Sequence, residues 1–161
     1  MCLTVNIAKE GLEEGKWIPL QPIKKAESEI RCYKILNKTD EGYFTPFRCT
    51  GISSLQIHGL TKFKAKFNPA DKRKKIEDIF EDTDSHLREY GGYLTLDVFD
   101  GIIHTMKELP ETQECFEIIS PRVDHAEIWE CAIPKGTKYM EGIGNGYSCL
   151  GSEAIRFIKK I

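Results

Sequence analysis

Strict alternation of side-chain character along two segments constrains this chain more than any other feature. Ile30, Cys32, Lys34 and Leu36 interleave with Arg31, Tyr33 and Ile35. Within His125–Ile133, Ala126, Ile128, Glu130 and Ala132 interleave with Trp129, Cys131 and Ile133. Neighbouring side chains of a strand point to opposite faces, so a period of two requires extended chain. Further segments read the same way. Asn37–Gly42 is turn chemistry and Tyr43–Phe47 a return strand, with Pro46 keeping it at an edge. Lys62–Phe67 sets lysines against Phe63, Ala65 and Phe67. Cys115–Ile119, Lys138–Met140 and Ala154–Ile161 complete a sheet-rich chain, and Gly142–Gly146 reads as a hairpin loop.

Two stretches carry helical spacing instead. Asn68 as N-cap, Pro69 at the first helical position and Asp71 in the first turn open a helix over about 69–80, with Ile76, Ile79 and Phe80 on one stripe. Gly91-Gly92 ends any extension of it, and Tyr93-Leu-Thr95 reads as a short strand. The spacing of Val98, Phe99, Ile102, Ile103 and Met106 predicts a second helix over about 97–108. It is capped by Thr95 or Asp97, stopped by Pro110, and packed against the sheet of Ile30–Ile35 and Ile128–Ile133. The expected fold class is therefore α+β: a mostly antiparallel sheet carrying two helices. A chain of 161 residues suits one domain. Residues 1–27, broken by Gly11, Gly15, Pro19 and Pro22, read as an N-terminal arm with one short strand at Cys2–Ile7, and 28–161 as the domain.

Charge and cysteine content narrow the function classes. With 23 basic and 25 acidic residues the formal charge is −2, so the chain as a whole is no polyanion binder. No apolar run is long enough to span a membrane, and MCLTVNIAKE lacks the basic flank and apolar core of a secretory signal. The expected compartment is the cytoplasm. Six cysteines (Cys2, Cys32, Cys49, Cys115, Cys131 and Cys149) then read as reduced thiols, since disulfide frameworks belong to small secreted domains. Nor do they show the close pairing of zinc ligands, so neither metal nor cofactor is expected.

No familiar catalytic spacing appears. The four histidines stand apart, without the two-histidine metalloprotease signature, and no Gly-x-Ser-x-Gly is present. Gly142-x-Gly-x-Gly146 shares only its glycines with a phosphate loop, because no apolar helix follows. One local charge anomaly stands out. Residues 62–75 hold Lys62, Lys64, Lys66, Lys72, Arg73, Lys74 and Lys75 against Asp71, followed by an acidic run over 77–84. Lys62, Lys64, Lys66 and Arg73 are candidates to hold an anion or a nucleic-acid backbone. Solvation of a sheet edge explains the lysines more simply, and nucleic acid is not the expected partner.

Several short motifs resemble an uncharacterised family of small bacterial and phage proteins. They are Met1-Cys-Leu3, Cys32-Tyr-Lys34, Thr45-Pro-Phe47, Gly92-Tyr-Leu-Thr-Leu96 and the run Ile133–Gly142. Their order carries the likeness. At Gly92-Tyr-Leu this chain departs from the family's Gly-Phe-His, so that histidine has no counterpart here. The resemblance implies no activity. The Ile133-Pro-Lys-Gly-Thr137 turn is similar, more faintly, to the core of ADP-ribosyltransferase-like domains. That likeness would give Arg31 the role of the first-strand arginine and Glu153 that of the late glutamate, while the middle Ser/Thr motif is missing. The sequence thus supports a binding or accessory module with no recognisable catalytic constellation. Its alternatives are a diverged ADP-ribosyltransferase-like enzyme and an anion-binding protein. Partner and oligomeric state are not legible.

Overall fold

A computed structural model describes residues 3–8, 18–39, 42–44, 62–63, 76–77, 80, 87–90, 93–98, 102–123 and 125–161. In chain order the strands are β1 (Leu3–Ala8), β2 (Ile18–Pro19), β3 (Lys24–Lys25), β4 (Ile30–Thr39), β5 (Gly42–Phe44), β6 (Lys62–Phe63), β7 (Leu87–Tyr90), β8 (Tyr93–Val98), β9 (Ile103–Met106), β10 (Ala126–Ile133), β11 (Lys138–Gly144), β12 (Tyr147–Ser152) and β13 (Ile155–Lys160). Among the described residues one α-helix, α1 (Leu109–Ile119), links β9 to β10. All pairings described are antiparallel. The main path runs β6-β13-β10-β4-β9-β12-β11-β1-β8-β7.

The two alternating segments form its spine. β4 and β10 pair without interruption from Ile30↔Ile133 to Asn37↔Ala126. Directly opposed residues share a face, so alternation sorts the spine into two sets. Ile35 and Ile128 join one apolar cluster with Leu3, Val5, Ile7, Met106, Cys149 and the helix residues Cys115 and Ile119. Cys32, Leu36 and Cys131 join a second cluster with Ile103, Leu150, Ile155 and Phe157. The spine is therefore covered on both faces.

Connectivity forces the sheet to curl. β12 and β13 are separated only by Glu153 and Ala154, yet β9, β4 and β10 lie between them in the sheet. In a flat sheet four inter-strand steps span about 19 Å, whereas three residue steps reach at most about 11 Å. β12 and β13 also run in the same direction. They act as one long strand that bends at Ser152–Ala154 and serves both ends of a curled sheet, as corner strands do in orthogonal packings.

Two expectations, over 97–108 and over 115–119, are corrected. The segment expected as a helix over 97–108 contributes the end of β8 and all of β9. Ile102, Ile103 and Met106 are buried as expected, but from extended chain. The β-branched pair Ile102-Ile103 and the turn-forming dipeptide Asp100-Gly101 explain the outcome, since glycine inside a helix costs about 1 kcal/mol relative to alanine. Cys115–Ile119, expected as strand, lies in α1. Pro110 opens this helix instead of stopping the previous one, because proline fits the first turn, where its missing N–H is not needed. Leu109, Thr112, Cys115, Phe116 and Ile119 then fall at helical spacing toward the core. The helix expected over 69–80 lies outside the described residues except Ile76 and Glu77, which form a turn, and Phe80.

Residues 1–27 contribute more than an arm. β1 pairs β8 along one edge, and β11 and β2 along the other. β5, β8, β10 and β13 match the strands expected near those positions, and β11 is longer than expected. Asn145 (φ +54°) and Gly146 (φ +87°) make the two-residue turn of the β11–β12 hairpin, whose twist needs positive φ at both positions.

Candidate functional site: a basic row across four strands

The register gathers residues that the sequence keeps far apart. Arg31 on β4 stands opposite Ala132 on β10, Ala132 opposite Arg156 on β13, and Arg156 opposite Lys62 on β6. Three basic positions thus lie in one line perpendicular to the strands, interrupted only by a methyl side chain. Arg31 and Arg156 are two strands apart, about 10 Å between backbones. A β-bulge between Glu130 and Cys131 falls beside the row. Bulges increase local twist and re-aim the side chains next to them.

Two carboxylates sit among these cations. Arg31, whose side chain is 76% exposed, places Nη1 3.2 Å from Glu130 Oε1. The other Glu130 oxygen lies 3.5 Å from Lys159 Nζ, so one carboxylate, 6% exposed, serves two cations. Arg156 Nη2 donates to both oxygens of Glu29, at 2.7 and 2.6 Å. Three cations (Arg31, Arg156 and Lys159) against Glu29 and Glu130 leave these side chains formally +1. The exposed Arg156–Glu29 pair contributes about 0–1 kcal/mol, so an incoming anion can replace Glu29 at low cost, whereas the buried Glu130 keeps its cations.

The candidate residues divide as follows. Arg31 and Lys62, proposed by sequence for different chemistries, belong to the same row. Lys64, Lys66 and Arg73 lie outside the described residues. Glu153 sits at the β12–β13 bend, where its Oε1 accepts from the backbone N–H of Ile76 at 3.5 Å. Lys138 pairs with the adjacent Glu77. Glu153 therefore holds the Ile76 turn, in a network separate from that of Arg31. Arg156 went unnoticed in the sequence. It looks like any polar strand residue until cross-strand register places it beside Ala132.

Among the described residues the thiols offer no ready nucleophile. Cys32, Cys115, Cys131 and Cys149 are free and buried. Burial pushes Cys32 and Cys149 up to about 11 and raises Cys131 further, so thiolate is scarce at neutral pH. Lys34, on the Cys32 face, is buried and donates from Nζ to the His104 carbonyl oxygen at 2.6 Å. Among the described residues, no group of three or more His, Cys, Asp or Glu gathers as metal ligands, and no helix is long and apolar enough to cross a membrane.

A second charged network ties β3 to β11 and to the residue after β9. Glu141 accepts from Lys24 Nζ at 2.8 Å and from Lys107 Nζ at 3.5 Å. The Lys24 hydrogen bond foremost, with the Lys107 charge and against partial burial, holds the Glu141 carboxyl below its ordinary range. A carboxyl depressed in the folded state stabilises above its unfolded pKa, and that contribution disappears as pH falls through the folded value. An NMR titration should therefore find Glu141 midway ionised below about 4.3. Glu141→Gln should make the loss of stability on acidification below the ordinary carboxylate range shallower.

No protein-family model matches this chain, and no curated protein or solved structure shows significant similarity to it.

Proposed function

We propose that this chain is a cytoplasmic binding module for a short, phosphate-bearing anion, seated on the row of Arg31, Arg156 and Lys62. The single observation behind this reading is the register that aligns the three positions on adjoining strands. Guanidinium groups suit the role because their planar forks match phosphate oxygens. Glu29 and Glu130 hold the arginines extended; the ligand's oxygens replace the exposed Glu29 on Arg156, and Arg31 keeps Glu130 while offering its exposed edge. The formal charge of −2 on the chain opposes a long polyanion, which favours a ligand of few phosphates.

Fluorescence anisotropy with a short labelled single-stranded oligonucleotide, at two salt concentrations and with inorganic tripolyphosphate as competitor, tests the reading. Binding should fall within about 10⁻⁴–10⁻⁶ M at physiological salt. Arg31→Ala, at an exposed position, should reduce the salt slope by about one unit while the chain stays folded. Salt-independent binding, or a slope unchanged by Arg31→Ala and Arg156→Ala alike, would remove the row from consideration. Tight binding of long duplexes that exceeds binding of the short strand would contradict the size limit.

A further inference from the structure

Cys32 and Cys131 are directly opposed in the spine of the sheet. Their geometry follows from the ladder. The Lys38 N–H donates to the His125 carbonyl at 3.0 Å, which makes that pair a hydrogen-bonded one. Pair types alternate along an antiparallel ladder, and this register is unbroken from Asn37↔Ala126 to Ile30↔Ile133. Six positions from Lys38, Cys32↔Cys131 is again a hydrogen-bonded pair. Such pairs hold their Cα atoms about 5.5 Å apart, inside the roughly 4.4–6.8 Å range that a disulfide spans. Both side chains enter the same cluster, with Phe157 opposite Cys131 and Ile155 nearby. The two sulfurs also sense each other electrostatically, since charge on Cys32 raises the pKa of Cys131.

We propose that Cys32 and Cys131 form a reversible disulfide that staples β4 to β10 when the chain meets a hydroperoxide. In the first half-step one thiolate attacks the peroxide, the O–O bond breaks, and a sulfenic acid and an alcohol (water, for hydrogen peroxide) result. In the second the other thiolate displaces the sulfenic oxygen as water. Overall, two thiols and one hydroperoxide give one disulfide, one alcohol and one water. Sulfur is oxidised by two electrons and the peroxide reduced by the same two. Hydrogen peroxide is small and uncharged enough to enter an apolar cluster that excludes glutathione. The reaction is slow, because buried thiols are seldom ionised. The staple closes a loop of roughly 100 residues, the long-loop case in which restriction of the unfolded chain is greatest. It acts on the second apolar cluster and is independent of anion binding.

The full chain, reduced and then treated with hydrogen peroxide, is quenched with an alkylating agent and read by intact mass and by non-reducing peptide mapping. The expected product carries four alkyl groups where the reduced chain carries six, joins the peptides of Cys32 and Cys131, unfolds at higher temperature and reverts with dithiothreitol. Cys32→Ala and Cys131→Ala should each abolish that cross-link. Should either variant fail to fold, the wild-type peptide map decides alone. A first cross-link through any other cysteine, sulfinic acid at Cys32 or Cys131 without a cross-link, or six alkylatable thiols after prolonged oxidation would each overturn the proposal.

Discussion

Truncation of Phe157 to alanine is expected to destabilise the protein by about 3–5 kcal/mol, the usual cost of emptying a fully buried aromatic site. Phe157 has no exposed surface and stands opposite Cys131 in the β10–β13 ladder. Its ring meets the Trp129 ring edge-on, with centroids 5.9 Å apart and planes at 87°. Such a contact adds about 0.5–1.5 kcal/mol beyond the area it buries. Collapse around the void is hindered because the neighbours belong to hydrogen-bonded strands, whose backbones cannot close inward without breaking ladder bonds. Urea unfolding followed by tryptophan fluorescence checks the value, provided the slope with denaturant stays constant. Phe157→Leu, which restores most of the volume, should recover more than half of the loss. If Phe157→Ala costs under about 1 kcal/mol, the second cluster is not a packed core.

The second large effect comes from adding one carbon. A Cβ built on Gly142 would lie 2.6 Å from the carbonyl oxygen of Thr4 and 2.8 Å from Leu3 Cδ1. A flexible side-chain tip could swing away, but the Thr4 carbonyl is part of the β1 backbone, beside the Thr4↔Ile143 pair. Leu3 is itself fully buried. Gly142→Ala must therefore push β1 away from β11, at about 1–3 kcal/mol, and Gly142→Val must do so by more. Hydrogen exchange resolves the mechanism. Protection should fall along β1 and its β8 partners while the β4–β10 spine stays protected.

These predictions depend on contacts of differing legibility. The spine was legible: a period of two over 30–36 and 126–133 needs no tertiary information, and both segments are strands in the structure. The turns at 135–136 and 145–146 were legible through glycine. The segment 97–119 was misread because apolar spacing alone cannot separate a short buried strand from a helix. There Pro110 and the Asp100-Gly101 dipeptide were the better guides. The basic row was not legible at all. Arg31, Ala132, Arg156 and Lys62 come from four strands, and only pairing over long sequence distances makes them neighbours. The same holds for the opposed thiols, since Cys32 and Cys131 show no spacing that a motif could capture.

The place of β1 has a consequence for how the chain is made. Leu3–Ala8 is synthesised well before its main partners, Leu94–Val98 and Ile143, and only the two residues of β2 follow it closely. At about 5–20 residues per second, roughly 7–28 s pass before the last of those partners has been synthesised. During that interval Leu3, Val5 and Ile7 have no sheet to enter, and an unpaired apolar strand is what chaperones and neighbouring nascent chains bind. Vectorial synthesis therefore leaves an apolar segment waiting for its sheet.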